Sequence, residues 1–206
     1  MHSALTKVIQ SQKPATALRE AWEEERRTYP KSALHLRFSD NHDERRAIAR
    51  FGEKGALAAS VLMFTLDGVP MLYNGMEVGD TTESGAPALF ERLPVFWPIA
   101  ERRPDFVRLY PALIALRRAH AALRQGDLLW LSNADESRVL TYLRRGPGEE
   151  FLVAINLSSR PFEGRVTIEQ WSGFVDVTPA AEARPVSLPA LSLDGWGYRI
   201  LRRPRA

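Results

Sequence analysis

The chain has 206 residues, 45% of them hydrophobic and 26% charged, with 28 Lys and Arg against 25 Asp and Glu for a net charge of +3. This composition reads as one or two globular domains, and no run of about 18 apolar residues offers a membrane span. The lack of cysteine excludes disulfides and thiolate chemistry and fits a reducing, cytoplasmic setting. The scattered arginines, clustered only at Arg202, Arg203 and Arg205, do not make the basic stripe with interleaved aromatics that nucleic-acid binding needs.

The start, Met1 to Leu5, has neither the basic segment nor the apolar core of a signal peptide. Residues 4–28 read as helix broken near Pro14, with Ala17, Leu18, Ala21 and Trp22 at helical spacing. Tyr29-Pro30-Lys31-Ser32 stops it. Residues 33–38 alternate like a strand, placing Leu34, Leu36 and Phe38 on one side, and end in the polar cluster Ser39-Asp40-Asn41-His42-Asp43. Residues 53–66 are an apolar Ala/Leu-rich helix. Gly68 follows, then a short buried strand over 69–73 whose exit is again polar: Asn74, Gly75, Glu77, Gly79 and Asp80. Helix, strand, helix, strand in this order predicts right-handed crossovers and parallel strands. A loop rich in Pro and Gly covers 81–104. Residues 105–124 read as a helix with Leu109, Leu113, Leu116 and Leu123 on one stripe and a kink at Pro111. From Gly126 the pattern changes to short β-rich segments, 128–132, 137–145, 150–157, 163–168, 173–177 and 195–203. Turn signals such as Arg145-Gly146-Pro147-Gly148 and Asp194-Gly195 separate them. The expected organisation is an α/β segment over 1–125 followed by an antiparallel β-sandwich over 126–206.

The positions of the polar clusters are the informative feature. Both strands end in polar loops at their carboxy ends, the face on which parallel α/β folds carry chemistry. Neighbouring strands would bring Asn41, His42 and Asp43 to one mouth with Glu77 and Asp80. Carboxylates beside a histidine can stabilise a cation, bind sugar hydroxyls or bind a metal. Spacing alone leaves a plainer role open, because Asp43 before Glu44-Arg45-Arg46-Ala47 is also a candidate helix cap.

Three ordered motifs resemble one known family. Phe38-Ser39-Asp40-Asn41-His42-Asp43 is similar to the seventh-strand segment of the alpha-amylase family of glycoside hydrolases (family 13). The run from Gly68 to Gly79, Gly-Val-Pro-Met-Leu-Tyr-Asn-Gly-Met-Glu-Val-Gly, is similar to its eighth-strand segment, and Leu113-Ile114-Ala115-Leu116-Arg117-Arg118 with His120 and Leu123 to its last barrel helix. Gly197-Tyr198-Arg199-Ile200-Leu201 fits the final strand of the family's carboxy-terminal domain. The resemblance implies the end of a TIM-type (β/α) barrel followed by that β-domain, with an alpha-glucan or oligosaccharide as substrate and no cofactor or metal. It implies that Asp43 is the auxiliary catalytic carboxylate, hydrogen-bonding sugar hydroxyls and stabilising an oxocarbenium-like transition state. His42 would bind the same sugar, Asn41 would hold the strand end in shape, and Glu77 would line the rim of the substrate site. Tyr73 reads as core, and Asp67, where the family usually has a small residue or proline, as a turn residue.

The family's nucleophile and general-acid segments have no counterpart in these residues. Gly173-Phe174-Val175-Asp176 has a passing likeness to the nucleophile segment but lacks its arginine and falls among the β-rich segments. An incomplete barrel would leave Leu34, Leu36, Phe38, Val69, Met71 and Leu72 facing no interior, roughly 500 Å² or more of apolar surface, above what monomers usually expose. A stand-alone chain is therefore expected to form homo-oligomers or to be part of a longer protein. Two other readings stay open. One is a hydrolase using a divalent cation held by His42, Asp43, Glu77 and Asp80 to attack a small ester or lactone. The other is a carbohydrate-binding module presenting Trp130, Trp171 or Trp196.

Overall fold

A computed structural model describes residues 1–82 and 92–205. Two helices open the chain, α1 (His2–Ile9) and α2 (Thr16–Thr28), burying Leu5, Val8, Ile9, Ala17 and Leu18. Strand β1 (Leu36–Arg37) pairs in parallel with β2 (Val69–Pro70), Leu36 opposite Val69 and Arg37 opposite Pro70. The regular pairing is shorter than the expected strands over 33–38 and 69–73. Gly68 sets its start. Its φ is +93°, and a Cβ there would lie 2.3 Å from the His35 carbonyl, which accepts the Val69 amide. Between the strands runs α3 (Ala47–Thr65), broken by the left-handed Gly52, so its uninterrupted part begins where the sequence pattern places it.

The polypeptide returns through a 3-10 turn (Trp97–Arg102) to α4 (Pro104–Ala119) and α5 (Ala121–Gln125). The expected kink at Pro111 does not end the helix; the break falls at His120, whose backbone is extended. Pro111 removes only the bond to the Val107 carbonyl, on an exposed residue where water can replace it. Of the Pro/Gly-rich loop, residues 83–91 lie outside the described residues. No described helix is long and apolar enough to cross a membrane.

Beyond Gln125 the described structure is all β. Strands β3 (Asp127–Leu131), β4 (Val139–Gly146), β5 (Glu149–Asn156), β7 (Val175–Asp176) and β9 (Tyr198–Pro204) form an antiparallel sheet in the order β3-β4-β5-β9-β7. Strands β6 (Phe162–Arg165) and β8 (Ala190–Leu193) form a second, two-stranded layer. β8 is absent from the sequence expectation, since a four-residue Ala-Leu-Ser-Leu run just after Pro189 carries little signal on its own. The final strand starts later than expected because residues 195–197 are spent in a turn.

β5 is buried along its whole length and divides two cores. Phe151, Val153 and Ile155 join the helices, packing in one cluster with Leu62, Leu113 and Leu123. Leu152 and Ala154 point the other way, to Phe162, Leu191 and Leu193 of the small layer. Alternation along one strand thus makes a three-layer arrangement of helices, large sheet and small sheet.

Polar contacts join helices to sheet. The Tyr142 and Thr65 hydroxyls lie 2.5 Å apart. The buried Arg144 donates to the carbonyls of Thr65 and Gly126. Arg117 donates to the carbonyls of Phe64, Leu66 and Gly68, and burial together with Arg144 and Arg124 pulls its guanidinium down to about 10, still charged at neutral pH.

At the start of the central strand β5, Glu149 receives hydrogen bonds from Arg202 and pairs with His120, and Glu150 receives them from Arg145 and Arg203. Burial alone would raise both carboxyls, but these cationic donors outweigh it and hold both below the ordinary range. A carboxyl lowered in the folded state adds stability above its unfolded pKa and loses it as pH falls through its folded pKa. Urea unfolding midpoints should therefore fall steeply below about pH 4.3. Substituting both with Gln should lower the neutral-pH midpoint and flatten that acid limb; an unchanged acid limb would show that these pairs contribute nothing to it.

Candidate active site at the strand ends

Phe38 leaves β1 stacked on His2, ring centroids 4.8 Å apart. The buried Asp40 then turns inward, its Oδ1 accepting the Ala47 amide at 2.5 Å and its Oδ2 lying 3.5 Å from Arg46 Nε. This corrects the expected cap: Asp40 satisfies the first turn of α3, and Asp43 does not. The reason is distance along the chain. Residues 41–46 form their own turn before the helix begins, which carries Asp43 away from the helix start. Asn41 shapes that turn, its side-chain oxygen accepting the amides of Asp43 at 2.8 Å and Glu44 at 3.0 Å.

His42 and Asp43 are left projecting. Their side chains are 49% and 67% exposed, with His42 Nε2 3.3 Å from Asp43 Oδ2. The geometry offers an imidazole and a carboxylate side by side on an outward turn, free to meet a polar ligand.

Arg46 links this turn to the one that follows β2. Its Nε donates to the Asp80 carbonyl and its Nη1 to the Asn74 carbonyl, both at 3.0 Å, and its guanidinium sits 5.2 Å above the Tyr73 ring. Gly75, with φ +88°, leaves room for it, since a Cβ there would lie 2.7 Å from Arg46 Nη2. The buried Asp80 turns to its own loop, Oδ1 accepting the Thr82 hydroxyl at 2.8 Å and the Thr82 amide. Glu77 is half-buried, and its Oε2 is shielded from solvent with no hydrogen-bond partner among the described residues. The two polar loops therefore share one end of the parallel pair, as the positional reading expects. Sequence reasoning missed the residues that join them, Asp40 and Arg46. Both lie within or beside the conspicuous motif, but only the fold shows that they point inward.

Asp67 is more than a turn residue. It accepts from Trp22 Nε1 at 2.9 Å and from Arg37 Nη2 at 3.1 Å, while Arg37 also reaches Glu25 at 2.6 Å. A groove of about 640 Å³ opens beside it, at the entry ends of the same strands, lined in part by Trp22, Leu34, Asp127 and Arg144. Its lining includes none of the strand-end residues. Among the described residues no three His, Asp or Glu side chains gather closely enough to hold a metal ion, so His42, Asp43, Glu77 and Asp80 do not form the ligand set of the metal-assisted reading. The three tryptophans separate as well: Trp130 and Trp196 pack against the core, and Trp171 does not.

Comparison with known proteins adds to this geometry. A family model described as the alpha-amylase catalytic domain matches residues 3–102. The sequence is 34% identical over 134 residues to a cyclomaltodextrinase from a Bacillus species, covering 62% of this chain and 23% of that protein. In structure it matches a maltogenic alpha-amylase from Thermotoga neapolitana with a TM-score of 0.74 at 17% identity, over 97% of this chain and 48% of that one. It also matches a solved cyclomaltodextrinase with a TM-score of 0.77 at 23% identity, over 98% of this chain and 35% of that one. The chain thus spans about a quarter of the curated relative and less than half of these solved chains.

Proposed function

We propose that the chain, whose residues 3–102 match the alpha-amylase catalytic-domain model, forms the carboxy-terminal portion of an alpha-amylase-family enzyme that hydrolyses or transfers alpha-glucosidic bonds in alpha-glucans or oligosaccharides. The observation that carries this reading is the pairing of β1 with β2 in parallel, with Arg46 tying their two polar exits together beneath an outward His42 and Asp43. In this reading Asp43 accepts hydrogen bonds from sugar hydroxyls and stabilises the positive charge that develops on the sugar ring. His42 donates to the same sugar, Asn41 preserves the turn, and Glu77 belongs to the rim.

A retaining mechanism needs a nucleophile and an acid with carboxyl groups about 5–5.5 Å apart. Asp43 supplies neither role here; both belong to other strands of the complete barrel. With the polypeptide as the cell makes it, assayed on maltooligosaccharides, Asp43→Asn should lower kcat by about 10²–10³. The exposed side chain can be changed without loss of packing, so the unfolding midpoint should stay put. Turnover within twofold of the parent would remove Asp43 from the mechanism.

A further inference from the structure

We infer that Trp171 forms a second glucan-contact site, a platform on the β-rich part of the chain separate from the strand-end turn. The inference rests on the alpha-glucan reading for its ligand class and on the structure for its place. Trp171 is 52% exposed, so its indole is open to a ligand. The turn that carries it is pinned from below. Arg203 Nη1 donates to the carbonyls on either side of the tryptophan, Gln170 at 2.8 Å and Ser172 at 3.1 Å. Arg203 is held in turn by the buried Glu150, which Arg145 also grips at 2.8 Å. Its guanidinium lies 4.5 Å from the ring centroid of the buried Phe174. Gly173, at φ +81°, bends the chain down to that anchor.

The result is an indole whose backbone is fixed on both sides while its ring faces outward. A pyranose presents an apolar face of C–H groups that stacks on such a ring, and its rim of hydroxyls suits the exposed polar residues beside it, Glu169, Gln170 and Ser172. A platform already fixed loses little conformational freedom on binding. An outward indole flanked by exposed polar residues suits a polymer chain lying across it.

The test uses the polypeptide as the cell makes it and two readouts. Retardation in gels containing amylopectin reports on the platform, and turnover of a short maltooligosaccharide reports on the strand-end site. Trp171→Ala should weaken the amylopectin interaction about tenfold, with Trp171→Phe intermediate and short-substrate turnover unchanged. Retardation that persists in Trp171→Ala, or a parent protein that is not retarded, would overturn the platform while leaving the hydrolase reading to stand on turnover. Retardation that depends on Trp171 without any turnover would keep the platform and remove the hydrolase reading.

Discussion

Prepared as these 206 residues alone, the chain is expected to self-associate, and Leu36→Lys combined with Val69→Lys is expected to return it to a monomer of 23.2 kDa. Leu34, Leu36 and Val69 are 77%, 52% and 45% exposed, and Leu72 is exposed beside them. Leu36 and Val69 are direct partners in the parallel pair, so their side chains stand on the same face. The other face of the pair is covered, with Arg37 buried against Glu25 and Asp67. Parallel strands are normally covered on both faces, and β1 and β2 each also keep an unpaired edge in their two-stranded sheet. Fully burying a leucine or valine is worth about 1.5–3 kcal/mol, so covering these side chains works in favour of association against the loss of translational and rotational freedom. Size-exclusion chromatography with light scattering over a concentration series decides the matter. A sharp monomer peak at every concentration for the parent chain would contradict the expectation.

Arg144→Met should lower the unfolding free energy by about 2–4 kcal/mol. Arg144 is fully buried in the large sheet, yet its Nη1 reaches the Thr65 carbonyl at 2.7 Å and its Nη2 the Gly126 carbonyl at 2.9 Å. Thr65 is the last residue of α3, where the backbone carbonyls carry the negative end of the helix dipole. Burial lowers the pKa of Arg144, and the nearby Asp67 and Asp127 carboxylates and the Tyr142 hydroxyl oppose that shift. Methionine fills much of the space but donates nothing, leaving two buried acceptors without their partners. Lysine keeps the charge but cannot span both carbonyls, so Arg144→Lys should recover only part of the loss. Urea unfolding at fixed protein concentration should show a lower midpoint with an unchanged slope. A midpoint equal to the parent's would mean that the junction does not depend on this arginine.

Much of the arrangement was legible because it depends on neighbours close along the chain. The apolar run after Glu53, the Leu109–Leu113–Leu123 stripe and the polar exits after Phe38 and Tyr73 each report local periodicity. Alternating helices and strands then dictate a parallel pair with a common exit end. The strand-end motifs could be recognised because His42 and Asp43 sit at fixed offsets from that exit. The inward roles of Asp40 and Arg46 were not legible, because a carboxylate and a guanidinium in a polar run look alike whether they face water or each other.

The sequence by itself determined the order of elements, the change from α/β to β near Gly126, and the end of the strand pair on which polar residues gather. Only the tertiary structure decided that β5 is buried on both faces, that Arg144 closes α3 from 79 residues further along the chain, and that of the three β-region tryptophans Trp171 is the exposed one while Trp130 and Trp196 are partly buried against the core. The physical reason is range. Backbone periodicity is set by sterics over a few residues and leaves its mark in the order of the amino acids. Burial and hydrogen-bond partnership across many tens of residues arise only when distant surfaces compete for the same space.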